Sequence, residues 1–317
     1  SQEKNTTLGI IYIYHYPDCI LSRKISSIYI FQFLILRITM IKKFIIQLSL
    51  FCTITCILIY FTGEILYIII NKTGNNILSD TDFKVTEAVC RSRKHIKTRK
   101  LVLGDSVGNS LYGNSTDSCV YSLTATVAIT ASGQYCLLAN FLSNNQERLP
   151  EEVILIVNPL NWNNVLSGNL CYSLFAKQFY NDEFKPYLDK TEIDEIATWP
   201  YAYLLNQKWF RICPYTINIE NNKAQRGKWI SEMQYRYIHK IETLCQSKGI
   251  KFRLLSGPVR ESLRNQVNNI AHADTRAQEP IFKEYFKNIK YLPDNNFVDQ
   301  LHLKRSNIPF DYFNLYN

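Results

Sequence analysis

Short apolar runs alternate with stretches of helical periodicity along most of the chain. The runs at residues 101–103, 153–157 and 250–255 are rich in apolar side chains and are followed by turn-forming residues, which predicts buried strands. Residues 134–143 and 235–248 carry apolar side chains at helical spacing, which predicts helices between those strands. Alternating strands and helices indicate a parallel sheet covered on both faces, so we expect an α/β fold, a three-layer α/β/α sandwich.

Polar residues that follow these strands are expected to meet at one edge of the sheet. Ser106 would open a helix directly after the first strand, and the β-branched segment 124–130 predicts a further strand before Gly133. Asn158 follows the run at 153–157. Because ligands bind outside the carboxyl ends of parallel strands, we expect Ser106, Gly133 and Asn158 to lie around one crevice.

The strongest apolar signal lies near the N-terminus. Residues 44–62 form a run of nineteen residues without a charge, which is the length that spans the hydrocarbon core of a bilayer as a helix. Lys42 and Lys43 precede this run, and positive residues favour the cytoplasmic side. The domain that follows is therefore expected to be extracytoplasmic, in a periplasm or at the cell surface. A buried core helix is the alternative interpretation of the same run.

We expect residues 1–39 to lie outside the native protein. The only methionines are Met40 and Met233, so Met40 is the sensible start of a membrane-anchor signal. Residues 1–39 would then be an upstream mis-start or a non-native extension. If they are expressed, a hairpin between the apolar stretch 25–36 and the main anchor is one alternative arrangement.

The anchor is expected to be retained after insertion. A second apolar patch follows at 65–70 without a small-x-small cleavage pattern, which favours a transmembrane signal anchor over 40–70 rather than a removed signal peptide. Residues 71–97 are then interpreted as a linker. Residues 98–317 are long enough to bury one sizeable core and show no boundary of a second domain.

Two short motifs supply candidate chemistry. A Gly-Asp-Ser triplet places Ser106 directly after the first predicted strand, and Asp299 and His302 stand three residues apart near the other end of the chain. A serine hydroxyl needs an imidazole to take its proton, and the imidazole needs a carboxylate to fix its tautomer. We therefore expect Ser106 to be the nucleophile, His302 the general base and Asp299 the residue that orients the base.

In residue type, order and spacing, these motifs resemble those of the SGNH or GDSL-type hydrolases. The resemblance covers residues 98–305 approximately, and it looks most like the membrane-anchored branch that handles acyl groups on envelope polysaccharides. It implies a flavodoxin-like sandwich and an oxyanion hole completed by a glycine, matched by Gly133, and by an asparagine. The usual Gly-x-Asn-Asp is absent, so Asn158 and Asn161 both remain candidates for that asparagine.

Trp162 follows the proposed oxyanion loop and has two interpretations. One interpretation is that its ring stacks on a sugar of the substrate, because the residue lies within a few positions of Asn158 and Asn161. Aromatic rings also fill protein cores, and 13% of this chain is aromatic, so a core position is the alternative.

Composition fits an anchored envelope protein better than a nucleic-acid-binding one. The net charge is +9; up to Lys43 there are six Lys or Arg and two Asp or Glu, so +4 of it lies beside the anchor. Clustered arginines with interleaved aromatic residues are missing, and no nucleic-acid partner is expected. Six of the nine cysteines follow the anchor, where disulfides and buried thiols are both compatible with the sequence. No cysteine or histidine spacing predicts a metal site.

The sequence thus predicts a membrane-anchored serine esterase or O-acyltransferase. The resemblance implies that its substrate is an acylated carbohydrate, expected to be an acetyl ester of cell-envelope polysaccharide, and that a membrane acyltransferase is its partner. No metal or organic cofactor is expected, because the triad supplies the nucleophile and both proton transfers. A lipid or small-ester hydrolase with the same residues is one alternative, and a catalytically silent assembly or binding protein on the same fold is another.

Overall fold

The computed structural model describes residues 18–73, 83–113, 115–116, 118–166, 170–212 and 230–304. The chain divides into two compact units, Ser1–Tyr60 and Phe61–Asn317. Helix α1, Asp18–Thr73, contributes residues to both.

The described part of the first unit is helix α1. Within α1, Phe31–Ile70 is long and apolar enough to cross a membrane, and its most apolar 18-residue window has a mean hydropathy of 2.2. Its most apolar window contains no buried residue, whereas a core helix would be mostly buried. The helix runs without a break through 25–36 and 44–62, so the alternative of a hairpin between these stretches is wrong. No glycine or proline stands between them to end a helix.

The second unit is built on a four-stranded sheet in which every neighbouring pair of strands is parallel. The spatial order is β2-β1-β3-β4. The strands are β1 Lys100–Gly104, β2 Val120–Ser122, β3 Glu152–Ile156 and β4 Lys251–Leu255. A separate parallel pair joins β5, Val259–Arg260, to β6, Tyr291–Leu292.

Alternate residues of the central strands bury both faces of the sheet. Leu101 and Leu103 of β1 belong to the larger apolar cluster. Val102 of β1 points the other way and packs in a smaller cluster with Ile154 of β3 and Tyr112. This two-residue alternation is the pleat of a strand, and it explains why the central strands are apolar throughout rather than every second residue.

Helices connect and cover these strands. They are α2 Phe83–Ser92, α3 Ser106–Tyr112, α4 Thr130–Asn144, α5 Lys177–Phe179 after a π-helical turn at Cys171–Ala176, α6 Lys190–Ala197, α7 Lys208–Ile212, α8 Glu232–Ser247, α9 Arg264–Ala273 and α10 Pro280–Lys287. Helix α4 packs on both α2 and α8. The unit is therefore a mixed α/β domain with a parallel sheet.

The segment predicted to be a linker contains part of the core. Helix α2 lies inside 71–97, and its Val85, Ala88 and Val89 are buried in the larger apolar cluster. Spacings of three and four residues place these side chains on one face of the helix. The packed domain therefore begins before residue 98.

The predicted strands at 101–103, 153–157 and 250–255 are confirmed, each within one or two residues of its observed bounds. The strand predicted at 124–130 is wrong. The true strand is β2, and the β-branched segment instead forms a loop and a 3₁₀ turn at Val127–Ile129. Thr126 explains the difference, because its hydroxyl accepts a hydrogen bond from the Ala128 N–H and starts that turn.

Several cysteines of the second unit serve as small apolar residues. Cys136 and Cys245 are buried free thiols within the larger cluster. Burial raises the pKa of Cys245 to about 12, so its thiol stays protonated at physiological pH. Of the two interpretations that the sequence left open, the structure favours buried thiols at these positions; Cys213 lies outside the described residues.

Candidate active site

Ser106 is the first residue of helix α3, directly after β1. Asp105 caps this helix: its Oδ1 accepts hydrogen bonds from Val107 N at 2.9 Å and Gly108 N at 3.5 Å. Ser106 itself is half-buried. Within the described residues its Oγ makes no hydrogen bond, and as the first helical residue its N–H has no partner inside the helix. Both groups can therefore contact a bound substrate.

Asp105 also ties this turn to the loop after β3. Its Oδ2 accepts from Asn158 N at 2.9 Å and from Asn161 Nδ2 at 2.7 Å. Burial raises the pKa of Asp105 above its ordinary value, and the hydrogen bonds from Asn158, Asn161, Val107 and Gly108 oppose that rise. One enclosed carboxyl group thus fixes the loops after β1 and β3 relative to each other. This role of Asp105 was not predicted from the sequence, although an Asp directly before a helix is a capping signal.

Two buried glutamines hold the surrounding backbone. Gln134 of α4 pairs with both peptide groups of Gly104: its Oε1 accepts from Gly104 N at 3.1 Å, and its Nε2 donates to Gly104 O at 2.7 Å. Gln234 of α8 accepts from Ala131 N at 2.8 Å and donates to Asn161 O at 3.2 Å. The two side chains therefore join α4 and α8 to the ends of β1 and β3. A site fixed by such buried contacts is held rigidly.

Gln134→Ala should destabilise the domain and shift Gly104, the residue directly before Asp105. It leaves the buried Gly104 N–H without an acceptor, which costs about 1–3 kcal/mol. Thermal unfolding of the full chain should show a lower midpoint than that of Gln146→Ala, a control at an exposed position just beyond the same helix. Equal midpoints for the two variants would show that the Gln134 contacts do not stabilise this end of β1.

Asn158 and Asn161 use their side chains differently. Asn158 Oδ1 accepts from Leu160 N at 2.9 Å and caps a 3₁₀ turn, Pro159–Asn161. Among the described residues, the Asn158 Nδ2 makes no hydrogen bond. This atom is also absent from the set of fully buried polar atoms without a partner, so it is open to a ligand. The Nδ2 of Asn161, in contrast, is committed to Asp105. Asn158 is therefore the one of the two with an amide available to a ligand.

Gly133 was expected to follow a strand on a loop, but it lies in a helix. It sits in the first turns of α4, and a side chain there would press on Ile129 and Phe179. Close packing explains this glycine, and its expected position directly after a strand is wrong; its role as an oxyanion donor stays a prediction. The loop after β2 instead brings Thr126 and Val127 beside Asp105, where they border a cavity of about 20 Å³, room for a single water molecule. Neither N–H of these two residues donates to an atom of the described residues.

Asp299 and His302 meet in a tight turn. His302 Nδ1 lies 2.8 Å from Asp299 Oδ2, while Asp299 Oδ1 accepts from Leu301 N and His302 N at 2.7 and 2.8 Å. An antiparallel bridge between Phe297 and Leu303 closes this turn. If Nδ1 carries the proton that Asp299 accepts, Nε2 is the nitrogen left to act as a base. Nε2 makes no hydrogen bond within the part of the chain that the structure describes.

A short series of contacts connects this turn to the start of α3. Asp294, a few residues before the turn, pairs with Arg260 at 3.1 Å and accepts from Ser262 N. Strand β5, which contains Arg260, follows Gly257, and a side chain on Gly257 would collide with Val107 beside Ser106. Even so, Ser106 Oγ and His302 Nε2 share no hydrogen bond.

Asp299 should titrate well below an ordinary carboxyl group. Desolvation by burial acts to raise its pKa, but hydrogen bonds from the His302 ring and from the Leu301 and His302 backbone outweigh it and lower the pKa to about 2. The pairing should therefore be fully present above the ordinary value of 3.8 and be lost as the pH falls through about 2. Carbon-13 NMR of the carboxyl group measures the midpoint. In His302→Ala it should move up towards the ordinary value, and an unchanged midpoint would contradict the pairing.

Trp162 is a core residue. None of its surface is exposed, and its ring packs edge-on against Phe282 and Tyr285 of α10, with ring centroids 5.3 and 5.1 Å away. The expectation that Trp162 stacks on a sugar is therefore corrected, because a fully enclosed ring has no face for a ligand.

A groove larger than the cavity beside Asp105 lies along α8, and none of the predicted site residues borders it. This groove of about 690 Å³ is bordered by His239 and Lys240. Its charged groups pair with each other: Lys240 Nζ lies 2.7 Å from Asp189, and the His239 ring nitrogens lie 3.1 and 3.0 Å from Glu242 and Glu279. Size alone therefore does not make it the better candidate for catalysis.

No protein-family model, curated protein or solved structure matches this chain. The chemical interpretation of the site therefore depends on its own residues and geometry.

Proposed function

We propose that this chain is a membrane-anchored serine esterase or O-acyltransferase of the SGNH type. The contact between Asp299 Oδ2 and His302 Nδ1 carries the proposal, because it orients an imidazole and leaves Nε2 unbonded. Ser106, on the turn after β1, supplies an unbonded hydroxyl. A nucleophile, a base and an orienting carboxylate are together the minimum set for acyl transfer through serine.

The reaction proceeds by attack of Ser106 Oγ on an ester carbonyl carbon. His302 Nε2 takes the hydroxyl proton as the new C–O bond forms, and it then gives that proton to the departing alcohol as the ester bond breaks. Water or a sugar hydroxyl attacks the resulting acyl-enzyme, with His302 again taking a proton. Asp299 keeps the imidazole in the required tautomer throughout. The products are a carboxylic acid after attack by water, or a new ester after transfer.

Charge on the carbonyl oxygen would be stabilised by N–H donors near Ser106. The Ser106 N–H is one, and Asn158 Nδ2 is the second, since its amide is uncommitted. The third donor would be the N–H of Gly133, Thr126 or Val127, and the last two border the cavity next to Asp105. Donors of this kind typically contribute a factor of about 10² to 10³ in rate each.

Nucleophile and base are proposed to make their hydrogen bond only when substrate is present. Catalytic hydrogen bonds are often long in the absence of substrate and shorten in the complex. The Asp299–His302 turn is partly exposed, with 31% of the His302 side chain and 57% of the Asp299 side chain accessible. A small movement of this turn is therefore compatible with its surroundings.

The location and substrate follow from the anchor and from the resemblance to SGNH hydrolases. Lys42 and Lys43 precede the uncharged run, which favours an extracytoplasmic domain. Acetylated envelope polysaccharide is then the accessible ester, and a membrane acyltransferase would supply the acyl group if the reaction is transfer. The same proposal includes a three-layer α/β/α arrangement around the parallel sheet.

Labelling of the full-length protein with a fluorophosphonate probe tests the catalytic proposal. Wild type should label, because the probe reacts with an activated serine. Ser106→Ala should not label, whereas Ser110→Ala should label fully; Ser110 is an exposed serine on the same helix. Labelling that survives in Ser106→Ala would show that another residue is the nucleophile.

A binding or assembly protein without catalytic activity is the second candidate. The observation that favours it is the missing hydrogen bond between Ser106 Oγ and His302 Nε2 in the described structure. Failure of the wild-type protein to label or to hydrolyse any acyl ester, with the cellular role intact in Ser106→Ala, would establish this alternative in place of the enzyme.

A further inference from the structure

Few large apolar side chains of the second unit are exposed among the described residues. Outside α1, the large apolar side chains that the structure describes as exposed are Leu170, Tyr201, Tyr203 and Val298. The accessible fractions of Tyr203, Leu170 and Tyr201 are 75%, 63% and 47%. Single exposed apolar residues need no explanation, but a group of them marks an interaction surface.

Tyr201 and Tyr203 lie side by side, with ring centroids 6.5 Å apart. Tyr172 donates a hydrogen bond to Pro200 O at 3.0 Å, and Pro200 directly precedes Tyr201. We call Tyr201 and Tyr203 the aromatic patch.

The patch lies close in the chain to the contact between α7 and the end of α1. Gly63 of α1 packs so closely on Trp209 of α7 that a side chain at Gly63 would collide with it. Next to this contact, Lys208 Nζ pairs with Glu64 at 2.9 Å. Helix α7 begins five residues after Tyr203, and the Gln207 N–H bonds to Leu204 O in the turn between them.

Gly63 is also the first residue after the uncharged run 44–62. Trp209 and Lys208 are therefore level with the end of the segment that would occupy the hydrocarbon core of a bilayer. One further contact, Arg211 lying 4.7 Å from the centre of the Tyr67 ring, holds α7 against the next turn of α1. All of these contacts lie within the second unit.

We propose that the aromatic patch contacts the interface of the lipid bilayer and holds the domain against the membrane surface. The inference depends on the proposed insertion of α1. Tyr and Trp rings prefer the headgroup level of a bilayer, and Lys and Arg side chains beside them pair with lipid phosphates. Lys208 and Trp209, which contact the end of the anchor, follow the patch within six residues of the chain and supply these residue types beside it. The bilayer is therefore the occupant that the chemistry fits.

The backbone at Tyr201 supports a constrained presentation of its ring. Its φ of 57° lies in the left-handed region, which costs a non-glycine residue about 1–3 kcal/mol and is retained only where the surroundings enforce it. Trp199, two residues earlier, is buried beside Tyr172 with ring centroids 6.0 Å apart. A buried ring thus fixes the base of the loop while Tyr201 and Tyr203 face outward.

Photo-crosslinking of the full chain in vesicles tests this contact. p-Benzoylphenylalanine is placed at Tyr203, at Phe51 in the uncharged run as a positive control, or at Ser247, an exposed residue at the end of α8, as a negative control. Each protein is reconstituted in vesicles of phosphatidylcholine and phosphatidylglycerol and irradiated, and lipid adducts are measured by intact-mass spectrometry. Position 203 should give a yield close to that of position 51 and several-fold above that of position 247.

Three results would overturn the proposal. Adducts at position 51 with none at position 203 would leave the anchor in the membrane and remove the patch from it. A crosslinked dimer from position 203 without lipid adducts would make the patch an interface between copies of this chain. An absence of adducts at both positions would overturn the insertion of α1 as well. The labelling of Ser106 is measured separately and is unaffected by these outcomes.

Discussion

Replacing His302 with alanine should lower kcat/KM for a chromogenic acetyl ester by a factor of about 10⁴ to 10⁶. The serine hydroxyl then has no acceptor for its proton, and the leaving alcohol has no donor. In His302→Ala, Asp299 loses its hydrogen-bond partner. Because Asp299 is exposed to solvent, water replaces that partner, and the thermal midpoint of the variant should stay close to that of wild type. Steady-state kinetics of the full-length protein in detergent measure the rate.

His272→Ala is the matched control, since His272 is an exposed histidine on α9. Its kcat/KM should equal that of wild type. Ser106→Ala and the double variant with His302→Ala should both show the same residual rate as His302→Ala, because residues that act as a unit are not additive. A loss of only a few-fold in His302→Ala would remove His302 from the mechanism.

Alanine replacements of Asn158 and Asn161 should affect the reaction rate and the stability differently, and this is the second prediction with a large expected effect. Asn158→Ala should reduce kcat by about 10² to 10³ because it removes the Nδ2 donor, and it should lower the free energy of unfolding by about 0.5–2 kcal/mol because it removes the Oδ1 cap on Leu160 N. Asn161→Ala should lower the free energy of unfolding by about 1.5–3 kcal/mol, because it removes a buried hydrogen bond to the Asp105 carboxyl group.

Kinetics and thermal unfolding of both variants separate these roles. Asn161→Asp is a useful third variant, since it keeps the volume but places a second carboxyl group against Asp105 and should destabilise more than alanine does. If Asn161→Ala loses rate without losing stability, and Asn158→Ala changes neither, the assignment of the oxyanion donor is reversed.

The central strands could be predicted because they are buried on both faces. Strands β1 and β3 lie in the middle of the sheet, so nearly every side chain in them is apolar and the signal is continuous. The edge strand β2 has three residues and resembles its surroundings in composition. Local propensity then favoured the threonine-rich segment after it, whose hydroxyl groups cap a turn instead.

The chemistry-bearing end motifs were visible, whereas their supporting contacts were not. The supporting contacts are made by Asp105, Gln134 and Gln234 with partners 30 to 103 residues away in sequence. Residue spacing along the chain does not predict pairs that are so far apart. Trp162 illustrates the converse. Its position beside the oxyanion loop was compatible with either a substrate contact or a core role, and only the packing of α10 distinguishes the two.

The most direct test of Ser106 as the nucleophile is to trap the acyl-enzyme. The full-length protein is mixed with 4-nitrophenyl acetate, quenched in acid and digested, and the acetylated residue is located by fragmentation in a mass spectrometer. The account predicts one acetyl group on Ser106 in wild type and in Ser110→Ala, and none at this position in Ser106→Ala. Acetylation confined to a different residue, at equal yield in wild type and Ser106→Ala, would contradict it.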